Sequence, residues 1–235
     1  MSNNLEINQP GSLGDIFFVQ KLCKELSKEY NVFHSVTSQM WACGLEQLET
    51  HVNFGPNLSV PSDGLYYDCS GQYRGRPLED VMTAKYLGCD MDWRDWADYF
   101  KYTRNHERET RLRELFNIKE NEPFILANKN YGFNFIHNGV ENSIPKDYDG
   151  KVIWMSPSIT PKIFDWCWML ENAEEIHIVE TSINYIVDTL NLKAKKLISH
   201  PRHYEHTRMI IERLFSAPWQ WVDYTEEEWK QYVKN

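Results

Sequence analysis

No stretch of this 235-residue chain stays apolar for the ~20 residues that a membrane-spanning helix requires. Residues 1–10 are polar and lack the basic-then-apolar pattern of a secretory signal, so a cytoplasmic protein is expected. The five cysteines, Cys23, Cys43, Cys69, Cys89 and Cys167, are scattered and form no CxxC pair. That argues against a disulfide framework or a four-cysteine zinc site and for reduced, buried thiols. Internal repeats and low-complexity tracts are missing. So are the dinucleotide fingerprint and the phosphate-binding loop that ends in Lys-Ser/Thr. Basic residues are in the minority: 25 Lys and Arg against 34 Asp and Glu give a net charge of -9. Such a chain gains no generic attraction to phosphate backbones, which lowers the prospect of nucleic-acid binding. Arg74-Gly75-Arg76 is the one obvious basic cluster.

What is present suits a folded α/β protein. Hydrophobic residues make up 42% of the chain, enough for a core. The length fits one large domain or two small ones. Aromatics reach 14% with nine Trp, which suit sugar-binding faces but serve as core filler more often. Short apolar runs alternate with amphipathic stretches. Leu5-Glu6-Ile7 reads as a first strand, a Gly-bearing turn follows, and spacings of three and four among Ile16, Val19, Cys23, Leu26 and Tyr30 predict a helix over 15–30. Strands are expected at 32–36, 51–54 and 65–69, with helices over 78–87 and 105–116, the latter solvated. A second unit opens on the continuous apolar run Pro123-Phe124-Ile125-Leu126-Ala127, typical of a buried parallel strand. A polar loop spans 128–150, and strands are expected at 151–155, 175–179 and 196–199. Thr160-Pro161 reads as a helix start and Thr225-Glu226-Glu227-Glu228 as a capping box. The boundary is placed at 117–122, giving segments 1–118 and 119–235.

In open parallel sheets ligands bind beyond the C-terminal strand ends. Gly11, Ser12, Gly14 and Asp15 follow the first strand. Their glycines and free amides suit an anion, with helix capping by Asp15 as the plain alternative. Asn128, Lys129 and Asn130 follow a strand of the second unit, as do Ser156, the trio Glu180, Thr181 and Ser182, and the pair His200 and Arg202. Arg202 can hold phosphate in a bidentate way. Helix capping is again the plain reading of Thr181. His200, His203 and His206 recur every three residues, a weak metal pattern. Asp90-Met91-Asp92 has the DxD form that some transferases use for a divalent metal, but a strand should precede it and a helical pattern does.

Two stretches resemble a known family. Gly11-Ser12-Leu13-Gly14-Asp15-Ile16 is similar to the Gly-Asp-Ile opening of heptosyltransferase-like GT-B glycosyltransferases. Residues 173–182, Ala-Glu-Glu-Ile-His-Ile-Val-Glu-Thr-Ser, resemble that family's segment ending in Asp, Ser or Thr, and Gly or Ser. The resemblance implies an α/β fold of two Rossmann-like lobes with mostly parallel sheets, an acceptor-side N-terminal lobe, and a C-terminal lobe for the nucleotide-sugar. It implies an inverting transferase without metal or other cofactor. Asp15 would be the general base on the acceptor hydroxyl. Lys129, Asn130, Thr181, Ser182 and Arg202 would stabilise the leaving diphosphate, and Ser156 would face the nucleoside. The chain departs from the pattern in three ways. Glu180 stands for the family's Asp, Tyr185 for its His, and 235 residues is short for two full lobes. The last suggests a trimmed lobe or help from a homo-oligomer. The compact style looks phage- or virus-like, which adds a hydroxymethylated DNA base to glycans as a conceivable acceptor. A silent binding protein on the same fold, and a metal-dependent transferase using Asp90 and Asp92, remain open.

Overall fold

Apolar residues at alternate positions of β1 (Asn4–Asn8) bury Leu5 and Ile7, and the same pattern in β2 (Asn31–Val36) buries Val32, His34 and Val36. These strands pair in parallel, with β3 (Asn53–Pro56) beside β2 and β4 (Leu65–Asp68) on the other side of β1. The computed structural model describes residues 3–9, 11–132, 135–205 and 207–234. Pro10 of the first turn and His206 of the histidine series lie outside them. The chain divides into two units, Met1–Thr103 and Arg104–Asn235.

In the first unit the strand order is β3-β2-β1-β4. The helix expected over 15–30 is two pieces, α1 (Leu13–Phe18) and α2 (Gln20–Leu26). The break has a local cause: the Phe18 carbonyl accepts a hydrogen bond from the Tyr86 hydroxyl, and the Ile16 carbonyl one from Gln20 Nε2 at 2.8 Å. α3 is Ser38–Ala42. The pattern over 78–87 yields only a 3₁₀ turn at Leu78–Asp80 and α4 (Ala84–Leu87). α5 (Trp96–Tyr99) completes an aromatic core, where Phe17 and Phe100 stack at 4.4 Å and Phe18 meets Tyr86 edge-on at 5.1 Å. Trp96 is core filler, with 1% of its surface exposed.

The second unit begins one helix earlier than the sequence suggested. α6 (His106–Leu115) is capped by Asn105, whose Oδ1 accepts from the Arg108 amide at 3.0 Å. It is tied into this unit rather than merely solvated: Arg108 donates to Asp165 at 2.7 Å, and Arg104 bridges buried Glu109 and Glu171. β5 (Phe124–Asn128) is buried at every position, as expected of a central parallel strand. Loop 128–150 contains elements that the sequence reading missed: β6 (Asn130–Tyr131), β7 (Phe135–His137) and α7 (Gly139–Ser143). β8 (Lys151–Trp154), β9 (Glu175–Val179), β10 (Lys196–His200) and β11 (Gln220–Trp221) join β5 in a parallel sheet of order β11-β10-β9-β5-β8. Thr160-Pro161 does not start a helix. The Thr160 hydroxyl donates to Asp165 at 2.8 Å and accepts from the Lys162 amide, and a 3₁₀ turn at Ile163–Trp166 leads into α8 (Cys167–Asn172). α9 (Ser182–Val187), α10 (Thr207–Ile211) and α11 (Glu226–Tyr232) follow, α11 with the expected capping box between Thr225 and Glu228. The final strand β12 (Val233–Lys234) pairs with β7. The cysteines among the described residues are free thiols. No helix of the described residues is long and apolar enough to cross a membrane.

Candidate active site

Each sheet has a point where neighbouring strands continue in opposite directions, the usual location of a ligand crevice in open parallel sheets. In the first unit that point lies between β1 and β4. Asn8 Nδ2 there donates to Asp68 Oδ1 at 3.3 Å, tying the two C-terminal ends. The turn that leaves β1 carries Gly11 and Ser12. Ser12 has φ 61°, in the left-handed region, and occupies the cap position of α1 without a side-chain bond. Gly14 is buried in the first turn of α1.

Asp15 is therefore not the helix cap that the plain reading made it. It lies in the first turn, and its Oδ1 accepts from Lys85 Nζ. The Lys85 side chain is 4% exposed and that of Asp15 23%. Lys85 also lies 3.1 Å from Met82 Sδ, and its carbonyl accepts from the Tyr67 hydroxyl at 2.7 Å. Nothing in the sequence marked Lys85, because a lysine on a short helix ordinarily faces water. The neighbouring thiols are poor nucleophiles: burial pushes Cys69 up to about 12 and Cys23 higher still.

The corresponding point of the second unit lies between β5 and β9. The remaining candidates follow the C-terminal ends of four strands of this sheet, β5, β8, β9 and β10. Asn128 and Asn130 brace their own turn: Asn128 Nδ2 donates to the Asn130 carbonyl at 2.9 Å, and its Oδ1 accepts from the Asn130 amide at 3.2 Å. Asn130 Nδ2 reaches the Met155 carbonyl at 3.3 Å, linking the ends of β5 and β8. Lys129 pairs with Glu141 and sits 5.1 Å above the Trp154 ring. Ser156 bonds to Ser158, hydroxyl to hydroxyl at 2.8 Å, within its own turn.

Beyond β9, Glu180 is buried and accepts from Arg202 Nε, while the Arg202 side chain is 45% exposed. The two residues, 22 positions apart, are thus partners at adjoining strand ends. Thr181 is the cap of α9: its Oγ1 accepts from the Ile183 amide at 3.3 Å, and its own amide donates to Asn184 Oδ1 at 3.0 Å. Ser182 opens the helix. Tyr185, at the family's His position, is interior and meets Phe215 edge-on at 4.9 Å.

His200 faces inward, not toward a ligand crevice. Its ring is 1% exposed, Nδ1 lies 2.5 Å from the Tyr224 hydroxyl and Nε2 3.1 Å from Ser143 Oγ. Ser143 Oγ also meets His177 Nδ1 at 2.8 Å, and His177 Nε2 meets Glu175 at 2.7 Å. Tyr224, His200, Ser143, His177 and Glu175 are thus joined in one hydrogen-bonded chain, in which the Ser143 hydroxyl also donates to the Val140 carbonyl at 2.8 Å. Burial pushes His200 down to about 3, so it is neutral. His137 adjoins it at 5.6 Å between ring centres, fully buried, with neither ring nitrogen hydrogen-bonded. The sequence reading missed Ser143 at the end of α7, His137 at the end of β7 and His177 in the middle of β9.

His203 stacks on Tyr204 with ring centres 4.8 Å apart. Asp90 follows α4 in a turn rather than ending a strand, and Asp92 is held by Arg94 at 2.9 Å. Among the described residues no group of three His, Cys, Asp or Glu could hold a metal.

Each unit thus carries a parallel sheet with a switch point, as in an α/β protein of Rossmann-like units. The chain is similar in structure to a glycosyl transferase of family 9 from Veillonella parvula, at a TM-score of 0.54 and 6% identity over 96% of this chain and 88% of that one. It is also similar to the E. coli ADP-heptose LPS heptosyltransferase II, at a TM-score of 0.50 and 10% identity over 97% and 92% of the two chains. The fold is thus the GT-B, heptosyltransferase-like one. No protein-family model matches the sequence, and no curated protein matches it.

Proposed function

We propose that the protein is a glycosyltransferase that moves a sugar from a nucleotide-sugar to an acceptor hydroxyl, with inversion and without a metal. The observation that carries this is Asp15 beyond β1, its carboxylate held through Oδ1 by a buried lysine. Oδ2 is then the atom that takes the acceptor proton as the acceptor oxygen attacks the anomeric carbon. As that bond forms, the bond from the anomeric carbon to the diphosphate oxygen breaks. In the second unit the cations Lys129 and Arg202 are the groups suited to the charge that develops on the diphosphate. A glycan is the acceptor that suits the chain's net charge of -9, and a hydroxymethylated DNA base the less suited one.

One observation favours a second reading, a nucleotide- or sugar-binding protein without turnover. Lys129, Arg202, Thr181 and Asp15 all have partners within the fold. Release of nucleoside diphosphate from a panel of nucleotide-sugars, by wild type and by Asp15→Asn, separates the two. A transferase loses turnover at least about 100-fold in the variant while donor binding persists. Wild-type binding with no release at any acceptor supports the binding protein. Equal release by wild type and variant removes Asp15 as the base.

A further inference from the structure

The hairpin β6–β7 leaves the C-terminal end of β5 directly and is anchored on both sides. The His137 amide donates to the Lys129 carbonyl at 2.8 Å, and β12 pairs along β7. Its cross-strand partners Tyr131 and Phe135 stack, with ring centres 5.4 Å apart and planes at 22°. Gly132, at φ +56°, makes this possible, because a Cβ there would lie 3.3 Å from Phe135 Cδ2. Tyr131 packs inward on Ala127, Val140 and Val179, whereas Phe135 is 42% exposed.

We infer that Tyr131 and Phe135 form a stacking platform for the base of a nucleotide, an inference that rests on the donor-site reading above. A nucleotide has an aromatic face at one end and phosphate charge at the other. The second unit offers matching features at the ends of its strands: a prestacked aromatic pair whose Phe135 is exposed, and the cations Lys129 and Arg202. A neutral glycan would use the rings but not the cations. Ser156, expected to face the nucleoside, spends its hydroxyl on Ser158 and on that residue's amide. Base recognition by stacking is tolerant of base identity, since every base has a π face.

Calorimetric titration of the full chain with ADP, UDP, GDP and inorganic pyrophosphate tests the platform. Phe135→Ala is expected to weaken the tightest nucleotide about tenfold and leave pyrophosphate unchanged, while Phe135→Trp keeps nucleotide affinity. The platform is overturned if Phe135→Ala binds nucleotides as wild type does, or if pyrophosphate weakens by the same factor. If wild type binds none of the nucleotides, the donor-site reading fails and the platform with it.

Discussion

In the Asp15–Lys85 pair the cation is the more buried member. An ammonium out of water demands a counter-charge, so the two side chains stabilise each other's placement. In a double-mutant cycle Asp15→Ala and Lys85→Met should each destabilise. The double variant should fall short of their sum by about 1–2 kcal/mol, read from urea unfolding. Strict additivity would mean that the pair is not formed in solution. Glu180 and Arg202 reverse the roles, with the carboxylate inside. Arg202→Ala should cost about 1–3 kcal/mol, because it strips a buried charge of a partner, whereas Arg202→Lys should recover part of this. The histidines make a separate prediction. Burial holds His34 and His137 down to about 4 and His200 down to about 3. Such an imidazole takes its proton more readily in the unfolded chain. Its contribution to stability is whole above the unfolded value of about 6.5 and is lost as pH falls toward the folded value, at up to ~1.4 kcal/mol per pH unit for each ring. The urea midpoint should therefore drop between pH 7 and pH 5. His137→Phe should make that drop shallower; an unchanged slope would show that His137 is charged or solvated in the fold.

Short elements dominate this protein, and they set what could be read from the sequence. Gly139, at the start of α7, shows how tightly one of them is fitted: a Cβ there would lie 2.5 Å from the Tyr224 hydroxyl and 2.7 Å from His137. Gly139→Ala should cost about 1–3 kcal/mol in a thermal or urea melt, and a neutral result would mean that Tyr224 is not seated against the turn. The long parallel strands were legible because their patterns are strong: continuous burial in β5, alternation in β1 and β2. The capping box of α11 was legible from Thr225 and Glu228 alone. Strands β6, β7 and β12 were not, since two or three residues have no period to detect. Thr160-Pro161 misled because a tertiary partner, Asp165, takes the hydroxyl that would have capped a helix. At the site, the positions beyond the strand ends could be located from sequence, whereas the partners could not. Lys85 lies 70 residues from Asp15, and the Tyr224–Glu175 chain draws on four separate segments.

At the scale of the whole molecule, the strand orders β3-β2-β1-β4 and β11-β10-β9-β5-β8 each create one switch point; Asp15 follows a strand beside the first and the segments 128–130 and 180–182 follow strands beside the second, whereas Ser156 and Arg202 follow β8 and β10 and His200 is turned inward. The likeness to two glycosyltransferase structures at 6% and 10% identity is a likeness of that topology, kept while nearly every side chain differs. The function we propose requires a nucleotide-sugar donor, and thermal unfolding of the full chain tests that claim most directly. A panel of nucleotide-sugars and nucleoside diphosphates is added, with and without a chelator. A donor at ~100 times its dissociation constant adds ~2.7 kcal/mol of apparent stability, a readable rise in the midpoint. The account predicts such a rise for at least one nucleotide-sugar, undiminished by the chelator. No rise with any of them would contradict it.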